Sequence, residues 1–318
     1  MAKLPILLAD QYRTVRSVVL ARRDCVEFEY YKAGVNSRTL LPVHSVTKSV
    51  LSILVGIALD KGYLRVDQKL SELLPEALDP TFDAHVRDIT VRDFLTMTSG
   101  FDSAAPFGAN AVIPPNEMWQ WTLSRPIRHE PGTRFEYDDD SVNLLSVALA
   151  RAIRQNSKSF AEQNLFGPLD IANFDWKADA EGHLIGASTL SLSARDMAKL
   201  GLLYLQHGRW GHDQLVSSEY VADSTSRHND GGAPVGAAYG YLWWVTHTST
   251  GLDAFFAAGK GSQIIYVLPK LDLVVAVTSL SSIPGGSVHF VNEVLLPALT
   301  DHPAPSPCVD RLMREGPR

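Results

Sequence analysis

Apolar and polar positions follow two different rhythms along this chain. Near the N-terminus, residues 17–20 and 26–31 are β-rich runs separated by Arg22-Arg23-Asp24, the pattern of a hairpin. From Ser45 the period becomes helical. Val50, Leu51, Ile53, Leu54, Val55, Ile57, Ala58 and Leu59 make that segment apolar nearly all round, so it must be buried. It ends near Asp60-Lys61-Gly62, with Gly62 suited to the position after the C-cap. Residues 90–97 read as a short helix capped by Thr90, with Asp93 completing a capping box and Ser99-Gly100 ending it. Residues 101–115 are loop-like and suit a cleft rim, and 117–123 predict a helical turn. Pro131-Gly132-Thr133 is a turn, 134–137 an extended piece, 141–154 an amphipathic helix, and 160–169 further helix. Residues 191–205 form a strongly apolar helix with Ser193 as N-cap. After Tyr239 the period shortens again. Residues 241–245, 261–268 and 273–279 predict strands joined by turns at Gly251-Leu252-Asp253 and Pro269-Lys270-Leu271-Asp272. Residues 288–299 predict a closing helix, followed by a loose Pro-rich tail from Pro303.

This order predicts an α+β fold in which N- and C-terminal strands share one antiparallel sheet flanked by helices. The sheet domain comprises residues 1–70 and 236–318, and residues 71–235 form a mostly helical insert. The cleft where the two parts meet is the expected place for a small-molecule site.

Composition narrows the function classes. The chain has 318 residues, 45% hydrophobic and 20% charged, with a net charge of −6, which fits a globular domain with an ample core. No Lys/Arg cluster resembles a nucleic-acid footprint. The two cysteines, Cys25 and Cys308, lie far apart with no Cys-x-x-Cys spacing, so neither a disulfide framework nor a cysteine-based zinc site is expected. The apolar run at the start is short and broken by Pro5 and Asp10, and the longest run, residues 49–59, is about half of the ~20 residues a bilayer requires. A soluble cytoplasmic protein without membrane or nucleic-acid partners is the expectation. Oligomeric state is not readable.

The chemistry concentrates in three stretches. In Ser45-Val46-Thr47-Lys48 a hydroxyl and an amine share one helix face, and the helix N-terminus favours negative charge developing on that hydroxyl. An isolated pair of this kind is commonly an N-cap and a solvated charge. Here, however, Lys48 alone among the lysines has a serine three residues before it, and it enters a buried helix. Ser45 is the candidate nucleophile and Lys48 its base. In Arg134-Phe135-Glu136-Tyr137-Asp138-Asp139, Tyr137 stands just before a helix and could shuttle a proton; taken alone, the packed or rim reading prevails. In Gly259-Lys260-Gly261, two glycines let a ligand approach the backbone, so the Lys260 amide could serve an oxyanion; taken alone, a bulged edge strand prevails. His44 adjoins Ser45 and cannot face it, so it reads as structural. Asp138-Asp139-Asp140 reads as a charge cluster at a helix N-terminus rather than a calcium site, and no metal or cofactor motif occurs.

Together these stretches resemble the serine β-lactamase and penicillin-binding-protein superfamily, in its class C, esterase and 6-aminohexanoate-dimer hydrolase branch. Ser45-Val46-Thr47-Lys48 looks like the S-x-x-K box, Tyr137-Asp138-Asp139 like the Tyr-x-Asn element, and Gly259-Lys260-Gly261 falls where the Lys-Thr-Gly or His-x-Gly box lies. The resemblance runs from about residue 40 to 280. It implies a β-lactamase/transpeptidase-like fold and a serine hydrolase needing no cofactor. Ser45 would form an acyl-enzyme, Lys48 would take its proton, Tyr137 would relay a proton, and the amides of Ser45 and Lys260 would hold the oxyanion. Asp139, Gly259 and Gly261 would bind substrate. Two departures bear on that substrate: Asp139 replaces the usual Asn, and Ala257-Ala258-Gly259 lacks the Lys or His that receives a substrate carboxylate. Both favour neutral esters, small amides or an amine-bearing substrate over a β-lactam or a D-Ala-D-Ala peptide. A non-catalytic binding protein of the same fold is a further alternative, against which the joint retention of Ser45, Lys48 and Tyr137 argues.

Overall fold

The computed structural model describes residues 4–103, 118–281, 286–297 and 308–312. The elements up to the middle of the chain are α1 (Leu4–Asp10), β1 (Val15–Arg22), β2 (Cys25–Tyr31), β3 (Leu41–Pro42), α2 (Val46–Asp60), α3 (Leu70–Leu73), α4 (Val91–Leu95), α5 (Met118–Leu123), α6 (Asp139–Ile153) and α7 (Ser157–Ala161). They continue with β4 (Ser191–Leu192), α8 (Ala194–Leu205), β5 (Arg209–Trp210), β6 (Asp213–Gln214), α9 (Ser218–Ser224), β7 (Asn229–Gly232), β8 (Ala237–Tyr239) and β9 (Trp244–His247). The last are β10 (Asp253–Gly259), β11 (Gln263–Leu268), β12 (Leu273–Ser279), α10 (Gly286–Phe290) and β13 (Asp310–Arg311).

Nine strands form one sheet in the order β13-β2-β1-β12-β11-β10-β9-β8-β7, and every pairing is antiparallel. N- and C-terminal strands therefore share a sheet, as the hydrophobic pattern predicts, with β1 beside β12 in the register Val18↔Val277 and Leu20↔Val275. All residues of β11 and β12 are buried, which is why they read as continuous apolar runs rather than alternating ones. Helix α8 crosses β1, β11 and β12, while α2 crosses β10 and β11. Tyr266, on the opposite face of β11, bonds Asn292 beyond α10. Helix α2 also packs on α6, so it stands between the sheet and the helical layer.

Most predicted elements recur with shifted ends. The Thr90–Asp93 capping box is present, and the Ser193 side chain caps α8 by accepting from the Asp196 amide. Helix α6 begins two residues earlier than expected because Asp138, through its side-chain bond to the Asp140 amide, takes the N-cap. Strand β10 escaped the sequence reading: Ala254, Phe255, Phe256 and Ala257 are all buried, with no alternation and little β-propensity in the alanines. It lies inside the sheet, between β11 and β9, not at an edge. Strands β7 and β8 escaped through their glycine and alanine content. The 241–245 strand begins instead at Trp244, because Leu242 turns the chain at φ +59°. Helix α8, inside the 71–235 stretch, packs on the sheet rather than within the helical layer. The 101–115 rim loop beyond Ser103, Glu117, the end of the closing helix and the tail from Pro303 fall outside the described residues, the short 308–312 segment excepted.

One expectation is overturned. Cys25 and Cys308 form a disulfide across a sequence separation of 283 residues, with Cα atoms 5.5 Å apart. The β1–β2 hairpin and the chain end meet at the sheet edge, where β13 pairs with β2, and sequence spacing carries no trace of that proximity. Among the described residues, no helix is long and apolar enough to cross a membrane.

The bridge makes a direct prediction. Intact mass should be lower by two hydrogens before reduction than after it. Cys25→Ser should lower the thermal midpoint, the loss of stability being at most the ~5 kcal/mol that so long a closed loop is worth. An unchanged midpoint would show that the bridge does not tie the terminus.

Candidate active site

Helix α2 is buried from Val46 to Ala58, and Lys48 is only 1% exposed. Such a helix can present chemistry only at its end, and the chain is shaped to do that. His44 adopts φ +50°, a conformation an L-residue rarely holds, and it turns the chain so that Ser45 becomes the N-cap residue at the floor of a cleft. The β3–β4 pair and the bond from the Val43 amide to the Leu190 carbonyl (2.9 Å) bring the 186–192 segment alongside.

The buried amine of Lys48 has three partners. It donates to Ser45 Oγ at 3.1 Å and to the Ala187 carbonyl at 2.8 Å, and it pairs with Asp139 Oδ1 at 2.7 Å. The ring of Tyr137 lies with its centroid 4.9 Å from Nζ, close enough for a cation–π contact. That ring stacks nearly parallel on Trp244, 6.0 Å away, and Trp244 in turn meets Phe135 and Tyr239 edge-on. Ser45, Lys48, Tyr137 and Asp139 are thus gathered at one point from two separate helices. Asp139, expected to bind substrate, is first of all the ionic partner of Lys48, although its side chain keeps 58% exposure.

Opposite Ser45 stands the turn between β10 and β11. A Cβ at Gly259 would lie 2.2 Å from the Val43 carbonyl oxygen and 3.2 Å from the Ser45 nitrogen, so only glycine lets this backbone come so close to Ser45. Among the described residues, neither the Ser45 amide nor the Lys260 amide donates to another backbone or side-chain group, an arrangement suited to receiving an oxyanion. Gly261 and Ser262 take two successive positive-φ positions of the turn, and Gln263 clamps it by donating to the Ser279 carbonyl and accepting from the Ser279 amide. The resulting cleft encloses about 590 Å³ and is lined by Ser45, Tyr137, Trp244, Gly259, Lys260 and Gly261 among others. Val235, Leu280 and Val288 add an apolar wall. Among the described residues, no group of three or more His, Cys, Asp or Glu side chains could hold a metal ion.

Three contributions were not evident from the sequence. The Ala187 carbonyl carries no side-chain signal at all. His44, read as structural, lines the cleft, and burial followed by the nearby Lys260 charge lowers its pKa from the ordinary 6.5. Arg125 is buried over the rings of Phe101 and Trp121 and contacts both carboxylate oxygens of Asp138, at 3.1 and 3.0 Å. It thereby anchors the residue between Tyr137 and Asp139. The acidic run accordingly splits its duties: Asp138 to Arg125, Asp139 to Lys48, and Asp140 to the margin of the Arg125 pair at 3.4 Å.

The fold is of the β-lactamase/transpeptidase type, and the family model named Beta-lactamase matches residues 8–298. The chain belongs to that family of hydrolases. It is 24% identical over 279 residues to the 6-aminohexanoate-dimer hydrolase of Paenarthrobacter ureafaciens, covering 80% of this chain and 69% of that protein. A structure from Bacillus anthracis, assigned as a 6-aminohexanoate-dimer hydrolase, superposes with a TM-score of 0.77 at 18% identity, covering 94% of this chain and 81% of the other. EstCE1, a hydrolase with promiscuous acyltransferase activity, gives a TM-score of 0.77 at 16% identity, covering 92% and 95%. At these identities the structural matches speak for the fold alone.

Two outcomes follow from the geometry. Gly259→Val should force the β10–β11 turn off Ser45 and reduce turnover by about 100-fold or more, as loss of an oxyanion donor does; wild-type turnover would show the close approach to be dispensable. Burial first, and then the Asp138 charge, raise the Asp140 pKa to about 6. A carboxyl whose folded pKa is raised stabilises the protein below its ordinary pKa of 3.8 and loses that contribution as pH climbs through about 6. The full displacement corresponds to at most about 3 kcal/mol, and partial solvent access reduces this to about 1–2 kcal/mol. Asp140→Asn should therefore match the parent in stability near pH 3 and exceed it at pH 8, read as the difference in denaturation midpoints. An equal difference at both pH values would refute the assignment.

Proposed function

We propose that the protein is a serine hydrolase that forms an acyl-enzyme on Ser45 and cleaves carboxylic esters or small amides. The observation that carries this reading is the 3.1 Å contact between Lys48 Nζ and Ser45 Oγ at the open end of a buried helix. In the first half-reaction the resting Lys48 ammonium gives a proton to its partner Asp139, and the amine so formed takes the Ser45 proton as Oγ bonds the acyl carbon. Charge builds on the carbonyl oxygen beside the Ser45 and Lys260 amides, where one such donor is worth roughly 3–4 kcal/mol. The bond to the leaving alcohol or amine then breaks, and that group takes a proton relayed through Tyr137. Water attacks the acyl-enzyme in the second half, releasing the acid and restoring Ser45.

Asp139 in place of Asn, and Gly259 in place of a Lys or His, support neutral or amine-bearing substrates over those held by a carboxylate. The Lys260 side chain retains one positive charge in the cleft lining, one residue further along the turn. The apolar wall of Val235, Leu280 and Val288 supports a substrate with a hydrocarbon portion. The similarity to a 6-aminohexanoate-dimer hydrolase supports the same class of chemistry. The Cys25–Cys308 bridge weighs against the cytoplasmic location expected from the sequence, since disulfides persist mainly in oxidising compartments.

A fluorophosphonate probe should label Ser45 in the wild type and leave Ser45→Ala unlabelled. That variant should fold normally and lose turnover by about 10³-fold or more. Lys48→Arg, which cannot surrender its proton, should be almost as inactive. Across a panel of short-chain nitrophenyl esters, linear amides, D-amino-acid amides and β-lactams, the first two classes should be turned over fastest. A β-lactam preferred by a wide margin would move the reading to a β-lactamase or carboxypeptidase, and an unlabelled wild type would leave a non-catalytic binding protein.

A further inference from the structure

We infer that Asn143 is a positioning residue for Lys48, acting through the peptide of Ala187; this rests on the serine-hydrolase reading for its kinetic consequences. Asn143 lies on α6 one turn beyond Asp139, so both side chains project from the same helix face. Its Oδ1 accepts from the Ala187 amide at 3.0 Å, and the carbonyl of that same residue accepts from Lys48 Nζ at 2.8 Å. Helix α6 thus grips the amine twice, directly through Asp139 and indirectly through Asn143 and Ala187.

The segment carrying Ala187 needs such an anchor. It is fastened upstream, where Ser146 Oγ donates to the Leu184 carbonyl at 2.7 Å, and downstream, where the Leu190 carbonyl accepts from Val43 at 2.9 Å. Gly186 admits it to the groove between the helices, because a Cβ there would lie 2.8 Å from Leu51 and 2.9 Å from Ser146. Between Ala187 and Leu190, Thr189 holds φ +75°, costly for a β-branched residue, and its buried hydroxyl is without a partner among the described residues. A strained stretch of this kind keeps its shape only where its surroundings impose it. The Asn143 bond is the restraint at the one residue whose carbonyl aims Nζ toward Ser45 Oγ. With that restraint gone, the Ala187 carbonyl is free to rotate, and Lys48 retains Asp139 but loses the third point that fixes its direction.

The test compares Asn143→Ala with Asn143→Asp, whose carboxylate keeps an acceptor at the same place. The alanine variant should lower kcat by about 10- to 100-fold with KM nearly unchanged, as a misdirected base would. The aspartate variant should recover most of the rate. In protein labelled with 15N-lysine, the slowly exchanging Lys48 ammonium signal, assigned by its loss in Lys48→Arg, should be present in the wild type and in Asn143→Asp and absent in Asn143→Ala. An unaltered Lys48 signal in Asn143→Ala, or a kcat equally low in both variants, overturns the inference. The spectroscopic reading needs no substrate, so an unlabelled Ser45 would sink the hydrolase reading while leaving this one to be judged on its own.

Discussion

The rest of this structure depends on the burial of one amine. Lys48 sits in the first turn of a buried helix, and an ammonium there is tolerable only if its three protons find acceptors. No acceptor can come from the helix backbone, which is already bonded to itself. They must arrive from elsewhere, and they do: a hydroxyl one turn back, a carboxylate from the start of α6 and a carbonyl from the 186–192 segment. Satisfying Lys48 therefore forces three separate stretches to converge. The same convergence builds the site.

The sheet supplies the opposing wall by a different kind of constraint. Strands β10 and β11 end in a tight turn, and absence of a side chain at Gly259 lets that turn press on Val43 and Ser45. Contact between backbone and backbone is stiff, because neither side has rotamers to rearrange. An amide held in this way needs no reorganisation, as the oxyanion role proposed for it requires. Gln263 reinforces it by tying the turn to the end of β12, so the rigidity of a fully buried strand pair is passed to the cleft.

What could be read from the sequence follows from which interactions leave a periodic or typed signature. Helix α2 was evident from its unbroken apolar run, the α4 and α8 starts from their capping residues, and β11 and β12 from their β-branched content. Ser45 and Lys48 were evident because their spacing is a local property of a helix, and the structure joins them at 3.1 Å. Tyr137 and Gly259 needed the family resemblance, since each alone is an ordinary packing or turn residue. Strand β10 was missed because burial on both faces erases alternation. The Ala187 carbonyl and the Cys25–Cys308 bridge were missed for a common reason: both depend on long-range proximity, and neither a backbone carbonyl nor a lone cysteine encodes its distant partner.

Three consecutive aspartates at the head of α6 would repel one another if they shared one environment. Their separation explains both the cluster and the site. Asp138 is buried with Arg125 and caps the helix, so its charge is neutralised by a guanidinium that is itself buried. Asp139 points to the other side, toward Lys48, and stays more than half hydrated, so only one member of that ion pair bears the full cost of burial. Asp140 is largely buried with an incomplete share of Arg125, and burial first, then the repulsion of Asp138, raises its pKa. The helix dipole favours all three positions alike. It is the assignment of one cation to Asp138 and another to Asp139 that fixes how α6 enters, and with it where the ring of Tyr137 and the carboxylate of Asp139 stand relative to the buried amine.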